Sequence, residues 1–353
     1  MKRFLFILIS ILSVPCIAQK EVVPFLSGVN EGITYCLPDT RIEITVETAC
    51  ITRTPGEFNR YAERFLRISN AISKQESYWV MGDINIALSG KPNPDKRYTI
   101  KLSTTGTAAN VSMDENGIIS GINIQAPQET VIEENPGNTT NEKNDASKYM
   151  TEEMLQATST AKLAELTAKE IYTIRESKLA ITRGLSENMP KDGLSMQLVL
   201  DELDKQEKAL TEMFIGHTDT TYQKFSYTLE PAAEFNIDKA ILFRFSRKLG
   251  ILDKEDLAGS PVYYNLKDLE SIKFPTPEEL AKKKTVKKDG VCYNIPGKAE
   301  FEIYTAGRTL FKKEIPLAQL GTTEVLAKTL FSKNTSTKVR FDTATGGIIS
   351  IEK

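Results

Sequence analysis

The stretch from Thr151 to Gly216 carries the strongest helical periodicity in the chain, and it stands between two regions patterned for β-strand. Thr151 is a natural N-cap, and Glu152 and Glu153 place anions in the first turn, where the helix dipole favours them. Ile171, Ile174, Ile181 and Leu185 then fall at heptad-like spacing, with Lys178 interrupting the stripe. Gly184 is placed as a C′ residue. The segment from Asn188 to Gly193 contains Pro190 and breaks the helix, and Asp192 caps the next one. There Met196, Val199, Leu203, Leu210 and Met213 recur at steps of three, four and seven, widened by Leu200 and Phe214, and Gly216 closes it. The pattern predicts two long antiparallel helices joined as a hairpin. A start at Thr151 gives the first about 48 Å and the second about 33 Å, so part of the first is expected to be left uncovered.

The flanks read differently. Ile42, Ile44 and Val46 alternate with Arg41, Glu43, Thr45 and Glu47, the period of a half-buried strand. Pro55-Gly56 turns the chain, and Glu57 to Leu66 reads as a short helix. Further strands are expected at Ser77–Met81, Asp83–Leu88 and Tyr98–Ser103, with Lys91 to Asp95 as a turn between the last two. From Pro127 to Ser147 the composition turns to Glu, Asn, Thr, Pro and Gly, too polar for a core. After Gly216 strands resume, with one about Tyr222 to Leu229, one at Ile241–Phe245 and one at Pro261–Leu266. Lys267 to Lys288 is a charged connector, with a short helix expected after Pro277.

Two short sequences recur. Gly32-Ile33-Thr34-Tyr35-Cys36-Leu37-Pro38 and Gly290-Val291-Cys292-Tyr293-Asn294-Ile295-Pro296 share Gly, Tyr and Pro at equal spacing, each ahead of a strand. Gly117-Ile118-Ile119-Ser120 returns as Gly347-Ile348-Ile349-Ser350. These predict an internal duplication of a β unit on either side of the helices. The expected fold is α+β, with two mainly-β, sandwich-like domains and an inserted long antiparallel helical hairpin. The expected division is a leader at 1–18, a β domain with one short helix at 19–126, a polar linker at 127–147, the hairpin at 148–217 and a mainly-β domain at 218–353.

The first residues address the chain. Lys2 and Arg3 precede the apolar run Phe4 to Val14, and Cys16-Ile17-Ala18 resembles a small-x-small cleavage site. A secretory signal peptide is expected, cut after Ala18. The rival reading is lipidation at Cys16, which would tie the protein to a membrane; Ser13 and Pro15 stand where lipoprotein signals usually carry Leu and a small residue. Of 353 residues 40% are hydrophobic and 26% charged, room for two or three domains of ordinary globular composition. The acidic balance (Lys+Arg 45, Asp+Glu 47) argues against a nucleic-acid partner, and the run Lys282 to Lys288 reads as a solvated linker. Cys36, Cys50 and Cys292 remain after the leader. Cys36 and Cys50 are a candidate disulfide across a hairpin, and three small buried hydrophobes is the other reading.

The strand leads, Pro55-Gly56 with Tyr61-Ala62-Glu63, Ile174-Arg175-Glu176, Pro190-x-Asp192-Gly193, Pro316-x-x-Gln319 with Gly321, and Thr345-Gly346-Gly347-x-x-Ser350 together resemble an exported bacteroidal family known as a domain of unknown function. The resemblance spans nearly the whole chain after the leader. It implies a location in a Gram-negative envelope, periplasmic or outer, and it implies no activity, cofactor or catalytic residue.

No chemistry converges in the sequence. His217 is the one histidine, which removes multi-histidine metal sites. There is no Cys-x-x-Cys, phosphate loop or Gly-x-Ser-x-Gly elbow. The expected function is a non-enzymatic, protein-binding or scaffolding envelope protein without a cofactor, its partner another envelope protein. The alternative is a carbohydrate-binding or carbohydrate-cleaving protein, for which Tyr78 and Trp79 are the candidate glycan platform.

Overall fold

A computed structural model of the chain describes residues 32–101, 111–124, 145–185, 192–232, 236–273, 290–327, 330 and 337–352. The leader, most of the polar linker, the Pro190 segment and the basic run lie outside the described residues. The described chain is mainly β, with three antiparallel sheets and a minority of helix.

Strand β1 (Gly32–Thr54) is central to the first sheet, with β2 (Glu76–Lys101) on one side and β5 (His217–Leu229) on the other. Its period-2 pattern puts Ile42, Ile44 and Val46 fully inside, while Glu43 faces water. The second sheet has the order β10-β9-β8-β6-β7, from β6 (Ile237–Ser246), β7 (Gly250–Leu252), β8 (Ser260–Asp268), β9 (Gly290–Thr305) and β10 (Arg308–Ala327). Phe243, Val262, Leu266, Phe301, Ile303 and Leu317 meet the β1 side chains in one core. Each fully buried side chain of this kind contributes about 1.5–3 kcal/mol of transfer free energy.

The third sheet, order β12-β11-β4-β3, is built from two hairpins. The first joins β3 (Val111–Met113) to β4 (Ile119–Ile122), and the second joins β11 (Lys338–Phe341) to β12 (Ile348–Glu352). Both hairpins have a bulge at the same place. Met113 faces Ile119 and Ser112 faces Gly121; Phe341 faces Ile348 and Arg340 faces Ser350. The long hairpins also match. Asn93–Lys96 bulges from β2 opposite Leu37, and Ala318–Gly321 bulges from β10 opposite Pro296.

Three local expectations are corrected. The segment Glu76–Lys101 is one strand, since Lys91 and Pro92 pair with Asp39 and Pro38, Asn93–Lys96 is absorbed as a bulge, and the chain does not turn. Residues 59–66 form a 3-10 turn and a single π turn, not an α-helix. The first helix does not run from Thr151. A short α1 (Glu152–Leu155) is capped by the Thr151 hydroxyl, and the Ser159 hydroxyl then caps α2 (Thr160–Thr182) afresh. As a result α2 and α3 (Gly193–Ile215) are equal, at 23 residues each. The uncovered end that a longer first helix would leave is not present.

The sheets cut across the linear division of the chain. β5 follows the helices yet pairs with β1 from Ile42↔Leu229 to Thr54↔His217, and β11 pairs with β4.

Candidate functional site

The helix pair is capped at one end and packed at the other. Asp192 caps α3 by accepting the Ser195 N–H at 2.8 Å, and Gly184 closes α2 with the Leu185 N–H on the Ala180 carbonyl at 2.8 Å. Arg175 donates to Glu207 at 2.6 Å, and Lys178 bridges Glu207 and Asp204. These pairings step forward on α2 as they step back on α3, so the two helices run in opposite directions. Burial raises the Glu207 carboxyl, but the Lys178 and Arg175 hydrogen bonds outweigh it and hold it below the ordinary range. At the base Phe58, Ala62 and Leu66 close over Ala164, Ala168, Ile171, Leu210 and Phe214. Phe58 meets Phe214 edge-on at 5.3 Å. The Phe58 N–H donates to the Met213 carbonyl at 2.7 Å, and a Cβ on Gly56 would fall on that same carbonyl. This is the close approach that the Pro55-Gly56 pair permits.

The far end of the helices differs. Leu185, Leu194 and Leu198 are 73%, 81% and 70% exposed, and Leu179 and Val199 beside them are exposed too. Leu194 and Leu198 stand one turn apart on α3, and Leu185 follows the end of α2.

A second constellation is buried between the long hairpins. The Asn294 side-chain amide donates to the Pro38 carbonyl at 3.2 Å and the Thr345 carbonyl at 2.9 Å. The Thr40 hydroxyl donates to the Ala344 carbonyl and accepts the Ala318 N–H, both at 3.0 Å. Gln319 accepts the Thr40 N–H at 3.0 Å and donates back to the Thr40 carbonyl at 2.7 Å. The Tyr35 hydroxyl accepts the Cys292 N–H at 2.7 Å and donates to the Cys292 carbonyl at 3.0 Å; burial raises it well above the ordinary phenol range. The polar groups of this junction are paired with one another, so it holds the two hairpins together and presents no reacting group. Sequence reasoning missed Thr40 and Asn294. Thr40 carries a signal, because it stands in the apolar phase of Ile42, Ile44 and Val46.

The recurrent sequences meet here. The Cys36 N–H donates to the Gly117 carbonyl and the Asn294 N–H to the Gly346 carbonyl, both at 2.9 Å. Gly117 and Gly346 have φ of 77° and 72°. The backbone thus matches Gly117 with Gly346, where the sequence aligns it with Gly347, because the loop after Asp342 is one residue longer.

The expected site residues are placed as follows. Cys36 and Cys50 both lie on β1, in one continuous strand, and their thiols are free. At about 3.3 Å per residue they stand far beyond disulfide reach, so the proposed bridge is excluded. The hairpin expected between Cys36 and Cys50 does not form, because β1 runs from Gly32 to Thr54 without turning. Tyr78 and Trp79 are adjacent in β2 and half-buried on opposite faces, so they form no joint platform. Arg247 covers the Tyr78 ring at 4.5 Å, and the Trp79 ring lies against Gly250. The His217 imidazole is 3.3 Å from the Asp219 carboxylate on half-exposed β5. Among the described residues no three His, Cys, Asp or Glu side chains are grouped to hold a metal, and no helix is long and apolar enough to cross a membrane.

No curated protein and no solved structure matches the chain. A family model does match it, over residues 31–349, which takes in both strand leads, the helices and the closing Gly346-Gly347 turn. On that match the chain belongs to the family described as Domain of unknown function (DUF4831).

Proposed function

We propose that this chain is a non-enzymatic exported envelope protein that binds another protein through the far end of its helices. In this reading α2 and α3 form a hairpin inserted between two copies of a duplicated β unit, and the first two sheets form a sandwich. The matched bulges and matched Gly117 and Gly346 bonds support the duplication. The apolar run at Phe4 to Val14 and the resemblance of the motifs support export to the envelope.

The observation that carries the binding role is the contrast along the helix pair. Its base is sealed by Phe58, Leu210 and Phe214, while Leu185, Leu194 and Leu198 are open to water. Exposed aliphatic residues on adjoining turns suit a partner protein that presents an apolar helical face of its own.

The test is a triple variant, Leu185→Asp with Leu194→Asp and Leu198→Asp, in tagged protein recovered from cross-linked envelope extract. Mass spectrometry should show the co-purifying protein lost, at an unchanged melting temperature. A partner retained by the folded triple variant overturns this reading.

A further inference from the structure

β12 and β4 are counterparts with unlike surroundings. The hairpin registers equate Val111, Ser112 and Met113 with Val339, Arg340 and Phe341, and Ile119, Gly121 and Ile122 with Ile348, Ser350 and Ile351. β4 lies between β3 and β11, and all four of its residues are buried. β12 has β11 on one side, and among the described residues no strand pairs with its other edge. Its Ile349 and Ile351 are 60% and 49% exposed. At the opposite end of the sheet β3, the counterpart of β11, likewise has an outer edge with no strand among the described residues. One chain therefore carries, at the two ends of this sheet, the same two kinds of edge that join in its middle.

We propose that β12 of one molecule pairs antiparallel with β3 of a second copy of this chain. The register is the one already used inside the molecule. There Ile122 faces Val339 and Gly121 faces Arg340. Between copies Ile351 faces Val111 and Ser350 faces Ser112. The pairing gives hydrogen-bond partners to two edges that no strand pairs among the described residues, and it adds cover to Ile349 and Ile351 of β12. The contact is heterologous, since one copy offers β12 and the other β3. Each addition leaves one free edge of each kind, so association proceeds head to tail. The paired segment is short, so assembly depends on protein concentration. The contact does not involve the helix ends and stands or falls separately from the binding role proposed for them.

Cysteine trapping tests the register. In a Cys50→Ser background, Ile351→Cys and Val111→Cys are made as separate full-length proteins and mixed under mild oxidation. A paired strand brings the two Cα atoms within disulfide range. The expected result is a disulfide-linked heterodimer on mixing, with none from either variant alone or from the parent. Sedimentation of the unmodified protein should show mass rising with concentration, and Ile351→Pro, which removes an outward-facing N–H of β12 and leaves the Ser350 bond to Arg340 in place, should abolish that rise while leaving the melting curve intact. No mixed disulfide in folded proteins overturns the proposal. A disulfide formed by Ile351→Cys alone overturns it as well, because β12 would then pair with β12. So does a double variant that closes within a single chain at every dilution.

Discussion

The leads at Gly32–Pro38 and Gly290–Pro296 share a backbone arrangement and divide the chemistry unequally. Each sends one N–H to the carbonyl of a left-handed glycine, Cys36 to Gly117 and Asn294 to Gly346. The side chains then part. Tyr35 is buried and clasps the Cys292 backbone, while Tyr293 is only partly covered. Cys36 is a small buried hydrophobe, and Asn294 donates to two carbonyls. Repetition of a backbone does not require repetition of its polar cement. One junction between the leads needs one Asn and one Tyr, and each comes from a different lead.

Asn294→Ala tests this division most severely. It leaves the Pro38 and Thr345 carbonyls without their donor in a buried site, and we expect a loss of about 3 kcal/mol in urea unfolding. Cys36→Ala, its counterpart, should cost about 1 kcal/mol. Equal losses would show that the two positions are equivalent after all. The glycine pair comes next. Both substitutions to Ala force a side chain into a left-handed backbone, at about 1–2 kcal/mol. At Gly346 the new Cβ also meets the Asn294 amide and the Pro38 ring, each at 2.9 Å, whereas at Gly117 it meets nothing within 4 Å. Gly346→Ala should therefore lower the melting temperature more than Gly117→Ala. Third, Tyr35→Phe should cost about 1.5 kcal/mol by leaving both polar groups of Cys292 unpaired, and Tyr293→Phe should stay within about 0.5 kcal/mol.

The smallest effect lies outside the leads and serves as a control. Glu207 has a depressed folded pKa, so its contribution is complete above the ordinary carboxylate range and is lost as pH falls through the depressed value. Glu207 and Lys178 are partly exposed, which limits the effect to under about 1 kcal/mol. Glu207→Gln should flatten the acid limb of a stability profile and leave the ranking of the lead variants unchanged. A steeper acid limb in the variant would contradict the pairing.

Local signals were legible and distant ones were not. Asp192, Thr151, Gly184 and Gly216 could be placed at helix ends because a cap is decided by its own turn. The Ser159 restart was hidden, since Ala157-Thr158-Ser159 does not interrupt the expected helix as Pro or Gly would. Lys91 to Asp95 carries strong turn residues, yet the continuous partner β1 overrides them and expels Asn93–Lys96 as a bulge. The same continuity separates Cys36 from Cys50. The pairings of β5 with β1 and of β11 with β4 join segments far apart in sequence, and no local pattern records them. Of the two constellations, the open helix end was legible only in part: Leu185 and Val199 fall in the stripes that read as buried, and Leu194 and Leu198 lie off them. The junction of Thr40, Asn294 and Gln319 emerges only when three strands are brought together.

Gly216 alone separates α3 from β5. The last turn of α3 is pinned by backbone bonds from Phe58 to Met213 and from Ile72 to Ile215. A load applied at the far end of α3, about 33 Å away, thus acts on a lever whose fulcrum is this pinned turn. The torque reaches the first sheet through one residue and meets the ladder at its terminal pair, Thr54↔His217. Force entering a ladder at its end peels the bonds in succession, whereas force along a strand shears them together. A pull on the helices would unzip β5 from β1, starting beside Gly216 and running toward Leu229.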